Sequence, residues 1–187
     1  MTSLNIISTP LPGVKIIERR IIEDDRGSFF RLYCYEELAD AGLVNPVRQI
    51  NFSHATENHT TKGIHFQIPP FAEDKIITCT QGEFFDVAVD LRKDSPTFLQ
   101  WFSVILSEEN RRSILIPRGF GHGCQSLKDG SSLLYLHTNT YSPAAEGGFN
   151  ILDKTLGIEW PHSPSHLSSR DSGLPEIPAG YAGIEII

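Results

Sequence analysis

Lys75-Ile76-Ile77-Thr78-Cys79-Thr80-Gln81-Gly82-Glu83-Phe84-Phe85-Asp86-Val87-Ala88-Val89-Asp90-Leu91 decides the fold class of this chain. Both halves are rich in β-branched and aromatic residues and too short for core helices. Residues 75–80 and 83–91 therefore read as strands, joined at Gln81-Gly82, which carries a hairpin signal. In the second strand Phe85, Val87, Val89 and Leu91 alternate with Asp86, Ala88 and Asp90. The two carboxylates are thus expected on one face. A charge on an inner face is costly unless it is paired or lines a wet cavity, so Asp86 needs a partner.

Outward from this pair the texture stays β. Residues 14–22, 28–33, 47–53, 63–67, 101–106, 112–116 and 132–139 read as further strands, with a turn at Glu23-Asp24-Asp25-Arg26-Gly27. Their spacing suits a sandwich or barrel. Pro69-Pro70 stops the strand that holds His65, and Pro117-Arg118-Gly119-Phe120 reads as a turn delivering His122. Residues 35–41 form the best helix candidate, closed by Gly42. After Trp160-Pro161 the composition shifts toward Ser and Pro, as in an arm. The expectation is one domain over residues 1–187, with N-terminal strands and a C-terminal arm.

Fifteen glycines and twelve prolines fit a turn-rich β protein, and 40% hydrophobic residues supply a core. A net charge of −7 argues against binding a nucleic-acid backbone. Any anionic ligand must be met by a local basic cluster. The three cysteines, Cys34, Cys79 and Cys124, have no close spacing and read as buried free thiols. No apolar run approaches the ~18 residues of a membrane span, and the first residues lack a basic and apolar leader pattern. The expected location is the cytoplasm.

The residues that carry chemistry fall into a recognisable series: Asp25-Arg26-Gly27, Gln49-Ile50-Asn51, Gly63-Ile64-His65-Phe66-Gln67, Lys75, Gly82 through Arg92, Ser95-Pro96-Thr97-Phe98, Ile116 through Gly123, Tyr135, Tyr141, Gly157-Ile158-Glu159-Trp160 and Ser169-Arg170-Asp171. In this order they resemble the dTDP-4-dehydrorhamnose 3,5-epimerase family of cupin-like sugar-nucleotide enzymes, over about residues 11–175. The resemblance implies an all-β, cupin-like jelly roll, a double-sheet barrel with a few short helices. It implies a homodimer to which Arg26 or its neighbours contribute across the interface. It also implies a nucleotide-diphospho 4-keto-6-deoxyhexose substrate, inverted at C3 and C5 without a cofactor, as in dTDP-rhamnose biosynthesis.

By the same resemblance His65 is the general base and Asp171 the carboxylate that orients it. Lys75 stabilises the enolate and Tyr135 is the acid. A histidine suits proton abstraction because its pKa lies near neutral and a carboxylate strengthens it as a base. A cation near the ketone oxygen meets the charge that develops there. Arg26, Phe29, Gln49, Asn51, Lys62, Asp86, His122 and Tyr141 are the implied substrate-binding residues. His137 alternates with Tyr135 and faces the same side.

Four places depart from the family pattern, one of them Gln125, which follows Gly123-Cys124 where an apolar residue is common. Lys62 replaces the usual arginine, keeping the charge but losing the bidentate fork. Arg31 follows Phe29-Phe30 where glutamate is common, which leaves a CDP-linked sugar open as substrate. Leu136-His137 follow Tyr135 where lysine is usual. A 3-monoepimerase on the same scaffold and a non-catalytic ligand-binding cupin also stay open. Pro117-x-Gly119-x-x-His122 fits a cupin metal motif, but the first half would need His-x-His where this chain has His65-Phe66-Gln67. No metal is therefore expected.

Overall fold

The computed structural model describes residues 3–186. In chain order the strands are β1 Leu4–Ser8, β2 Lys15–Arg19, β3 Ile22–Asp24, β4 Gly27–Phe29, β5 Gln49–Ala55, β6 Thr61–Gln67, β7 Lys75–Gln81, β8 Glu83–Asp90, β9 Trp101–Ser107, β10 Ser113–Ile116, β11 Phe120–Ser126, β12 Ser131–His137 and β13 Glu146–Gly148. Two short helices accompany them, α1 Tyr35–Ala39 and α2 Ser169–Ser172. The six-stranded sheet runs β1-β2-β10-β7-β12-β5 and the five-stranded sheet β13-β6-β11-β8-β9, all antiparallel. β3 and β4 form a separate hairpin. The result is an all-β, cupin-like double-sheet jelly roll.

β7 and β8 are not a hairpin. β7 pairs with β10 and β12, whereas β8 pairs with β11 and β9, so the chain changes sheets at Gly82. Gly82 has φ +71°, and a Cβ there would collide with Ser131 at the start of β12. The residue type that signals a tight turn also serves a corner between sheets.

The five-stranded sheet is covered on both faces, which explains why β8 is buried along nearly its whole length. Between the sheets lie Ile77, Cys79, Ile114, Ile116 and Leu133 from one side and Phe84, Ala88, Leu106, Phe120 and Cys124 from the other. The alternate residues of β7, β10 and β12 (Ile76, Leu115, Leu136) pack outward beneath Leu38 of α1 and Leu43. The outer face of the five-stranded sheet, Ile64, Phe66, Val87, Val89 and Leu91, is covered by the C-terminal segment through Phe149, Ile151, Leu156 and Ile184. Each fully buried aliphatic side chain contributes about 1.5–3 kcal/mol. Ile184, with the partly buried Leu167, Ile177 and Tyr181, brings the segment after Trp160 into that core layer.

Other expectations shift at their edges. The strand expected over 28–33 ends at Phe29, because Phe30 packs its ring against the guanidinium groups of Arg19 and Arg111, at 5.9 and 5.6 Å, and Arg19 takes the Leu32 carbonyl. Helix α1 closes as expected around Gly42, with Leu43 N–H donating to the Leu38 carbonyl at 2.9 Å. β11, where only a turn at its start was expected, is a buried central strand. Cys79 and Cys124 are buried free thiols, but Cys34 is half-exposed beside α1.

Candidate active site

A cavity of about 570 Å³ opens between the sheets, within the range of small-molecule sites. Lys62, His65 and Gln67 of β6, His122 of β11, Lys75 of β7, Tyr135 and His137 of β12, and Asn51 and Ser53 of β5 line it, as do Glu73, Tyr141 and Glu146.

Lys62 and His65 are three residues apart and would lie on opposite faces of a regular strand. The β6–β11 register slips between His122↔His65 and Cys124↔Lys62, so a bulge at Gly63-Ile64 brings both side chains inside. Only glycine fits there. Gly63 has φ +115°, and a Cβ would stand 2.6 Å from the Gly123 Cα and the His122 carbonyl oxygen. The bulge also sets the two histidines side by side across the ladder.

His65 Nε2 donates to Asp171 Oδ1 at 2.6 Å. The imidazole side chain keeps 28% of its surface exposed and the carboxylate 5%, so the acid lies behind the ring and the ring faces the cavity. With Nε2 committed to Asp171, Nδ1 carries the lone pair. Asp171 reaches this point on α2, whose Ser168 cap accepts the Asp171 N–H at 3.0 Å. Burial works against its carboxylate, but the hydrogen bond and charge of His65 and the Ser168 hydroxyl outweigh that and hold its pKa below the usual value.

Tyr135 comes from the opposite sheet. Burial, with Cys124 and Asp86 nearby, pushes its phenol well above the ordinary value. Its nearest polar contact is Cys124 Sγ at 3.8 Å, so the hydroxyl proton is not committed to a strong acceptor. Lys75 Nζ lies 3.4 Å from the His65 carbonyl oxygen and 3.4 Å from Glu73 Oε1. Asp86 is fully buried and finds its partner in His122 Nε2 at 2.9 Å, while its Oδ1 has none. Asp90, expected on the same face, instead binds Arg92, Ser95 and Thr97 at the end of β8 and serves the fold.

The cavity wall also holds groups that the sequence did not single out. Glu73 accepts from Gln67 Nε2 and lies 3.5 Å from His137 Nδ1. Burial opposes its charge, and His137, Lys75 and Gln67 hold its pKa below the usual glutamate value regardless. Nothing in Ala72-Glu73-Asp74 marks it, since the diproline upstream reads as loop. Lys62 Nζ donates to Ser53 Oγ at 2.6 Å. Tyr141 donates to Glu146 at 2.9 Å, and Gln49, which is not itself a lining residue, accepts the Tyr141 N–H through its Oε1.

Two of the expected binding residues lie elsewhere. Arg26 and Phe29 are on the β3–β4 hairpin and line a separate, shallower cleft. Arg26 is paired with Asp24 and Phe29 is 70% exposed. Arg31, which raised the question of the nucleotide base, is held by Glu37 at 2.8 Å outside the cavity.

A base with its carboxylate, a cation and a high-pKa phenol around one cavity are what α-proton removal and return beside a ketone require. Comparison with known proteins agrees. The family model described as dTDP-4-dehydrorhamnose 3,5-epimerase matches residues 8–178. An epimerase of that name from Salmonella typhimurium is 44% identical over 174 residues, covering 91% of this chain and 93% of the relative. The dTDP-4-dehydrorhamnose 3,5-epimerase of Bacillus anthracis, solved with TDP and PPi bound, superposes with a TM-score of 0.90 at 40% identity, covering 93% of this chain and 99% of that one. A dTDP-6-deoxy-D-glucose-3,5-epimerase from Legionella pneumophila, in complex with dTDP-4-keto-L-rhamnose, superposes with a TM-score of 0.90 at 35% identity, covering 98% of this chain and all of that one. With the match running through both sheets and the segment that carries Asp171, the chain belongs to the dTDP-4-dehydrorhamnose 3,5-epimerase family.

Proposed function

We propose that this protein is an isomerase that inverts C3 and C5 of a dTDP-linked 4-keto-6-deoxyhexose. The carrying observation is that base and acid come from opposing sheets. His65 stands on β6 and Tyr135 on β12, so a sugar ring lying between them meets one on each face. His65 Nδ1 takes the proton from the carbon beside the ketone. The C–H electron pair moves into the ring and the charge develops on the 4-oxygen. The Lys75 ammonium stabilises that enolate. Tyr135, kept protonated by burial, returns a proton to the opposite face and inverts the centre.

Lys62 supplies local positive charge for the diphosphate in a chain of net charge −7. Asn51, Gln49, His122 with Asp86, and Tyr141 orient the sugar and base. Arg26 and Phe29 act in the cavity of a second copy. Their hairpin leaves Ile22 57% and Phe29 70% exposed, which suits a homodimer interface, and sedimentation at micromolar concentration checks it. The unpaired thiols of Cys34, Cys79 and Cys124 fit a reducing compartment, the cytoplasm.

The test is incubation with dTDP-4-keto-6-deoxyglucose in D₂O, with deuterium read at each carbon by NMR and mass spectrometry. His65 and Tyr135 exchange protons with solvent between events, so label at both C3 and C5 supports the reading. Label at C3 alone makes the protein a monoepimerase. No label with this or the CDP-linked sugar leaves a ligand-binding cupin.

A further inference from the structure

A chain of hydrogen bonds runs along the cavity wall on the side of Lys75, and its polarity can be read without ambiguity. Gln49 Oε1 accepts the Tyr141 backbone N–H at 3.0 Å, which fixes the Gln49 amide. Its Nε2 therefore donates to Asn51 Oδ1 at 3.1 Å, which fixes the Asn51 amide in turn. Asn51 Nδ2 then faces His137 Nε2 at 3.5 Å. An amide NH₂ only donates, so His137 Nε2 must accept, and the ring proton belongs on Nδ1. Nδ1 faces Glu73 Oε1 at 3.5 Å. The other Glu73 oxygen accepts from Gln67, whose own amide is fixed because its Oε1 accepts the Ser142 N–H at 2.7 Å.

Glu73 is thus surrounded by donors and held as a carboxylate. Its charge is directed at Lys75, whose Nζ is 3.4 Å away. The Lys75 ammonium has three N–H groups. Glu73 Oε1 and the His65 carbonyl oxygen account for two of them, and one remains for the cavity. A long, flexible lysine would otherwise sample many positions.

We infer that Glu73 and His137 are positioning residues for Lys75, a third imidazole–carboxylate couple beside His65–Asp171 and His122–Asp86, which aims one ammonium proton at the 4-oxygen of the substrate. The inference rests on the proposed role of Lys75 in enolate stabilisation. It accounts for two titratable side chains that the proton transfers do not use. It also explains the histidine that follows Tyr135-Leu136. The His137 ring lies parallel to Tyr135, 6.0 Å between centroids at 11°, which fixes its plane while Nδ1 points at Glu73.

Two measurements test it. In ¹⁵N-histidine-labelled protein, two-bond proton–nitrogen spectra assigned with His137→Asn report the tautomer of His137 with no substrate present. A neutral ring protonated at Nδ1 supports the chain, and a ring protonated at Nε2 or at both nitrogens overturns it. In turnover with the dTDP-linked substrate, Glu73→Gln lowers kcat about 30-fold while KM stays within about threefold, since the lost interaction matters where the enolate forms. His137→Asn, which can still donate to Glu73, retains more kcat than His137→Phe. Wild-type kinetics in Glu73→Gln, or equal losses in the two His137 variants, overturn the positioning role. Wild-type protein without turnover would instead overturn the proposed function, while the tautomer result would still stand or fall by itself.

Discussion

At the scale of single residues, the site depends on which atom each proton sits on. His65→Ala removes the proposed base and is expected to abolish deuterium uptake, by about a thousandfold or more, with nucleotide-sugar affinity nearly unchanged. Calorimetric titration beside the exchange assay separates the two effects. Exchange at the wild-type rate would reassign the base. Asp171→Asn leaves a side chain of the same shape but no charge to support the imidazolium, so kcat falls by about a hundredfold or more. The same carboxylate makes a pH-dependent contribution to stability. Its folded pKa lies below the ordinary 3.8, so the contribution is complete above that value and is lost as pH falls further through the folded value. The stability gap between wild type and Asp171→Asn, measured by urea unfolding, should therefore be constant near neutrality and narrow below about pH 3.8. That His65, Lys75, Tyr135 and His122 line one cavity was legible in their residue types and order. Glu73 was not, because a glutamate after Pro-Pro-Phe-Ala looks like a solvated loop residue until the fold turns it inward.

At the scale of elements, alternation revealed what lies inside a strand but not which sheet owns it. Residues 75–91 read as two strands and are two strands. The error lay in their partnership, because a glycine with positive φ permits both a hairpin turn and a corner. β11 was hidden for a related reason. Phe120-Gly121-His122-Gly123 lacks β-branched residues, yet its small side chains let Ile64 of β6 pack closely over it. The bulge at Gly63 was equally silent, although it decides that Lys62 and His65 share a face. Gly63→Ala is expected to cost roughly 3 kcal/mol, since the added Cβ meets backbone that cannot retreat. Because the same contact sets the spacing of β6 and β11, residual folded protein should also lose most of its exchange activity. Thermal unfolding with ligand titration checks both. An alanine variant of unchanged stability and activity would mean that the bulge is not required.

At the scale of the molecule, periods of two and recurring turn residues made the β character plain, and the resemblance to the epimerase family supplied the jelly-roll class. It understated the C-terminal segment, whose Ser and Pro content looked like an arm. Ile184 is 5% exposed and its backbone pairs with Leu91 and Lys93, at 2.6 and 2.8 Å. Ile184→Ala should therefore cost about 3 kcal/mol in urea denaturation, as for a core position and unlike a tail. A change below about 0.5 kcal/mol would return the segment to the status of a surface strap.

The partnership of His65 with Asp171 spans 106 positions of sequence. Loop closure over such a separation comes late, after nearer pairings have organised the chain. A polypeptide emerging N-terminus first can pair β6 with β11 and enclose the cavity well before Asp171 is available. For that interval it is a shaped but chemically silent vessel, and catalytic competence arrives with the last layer of the fold to be laid down.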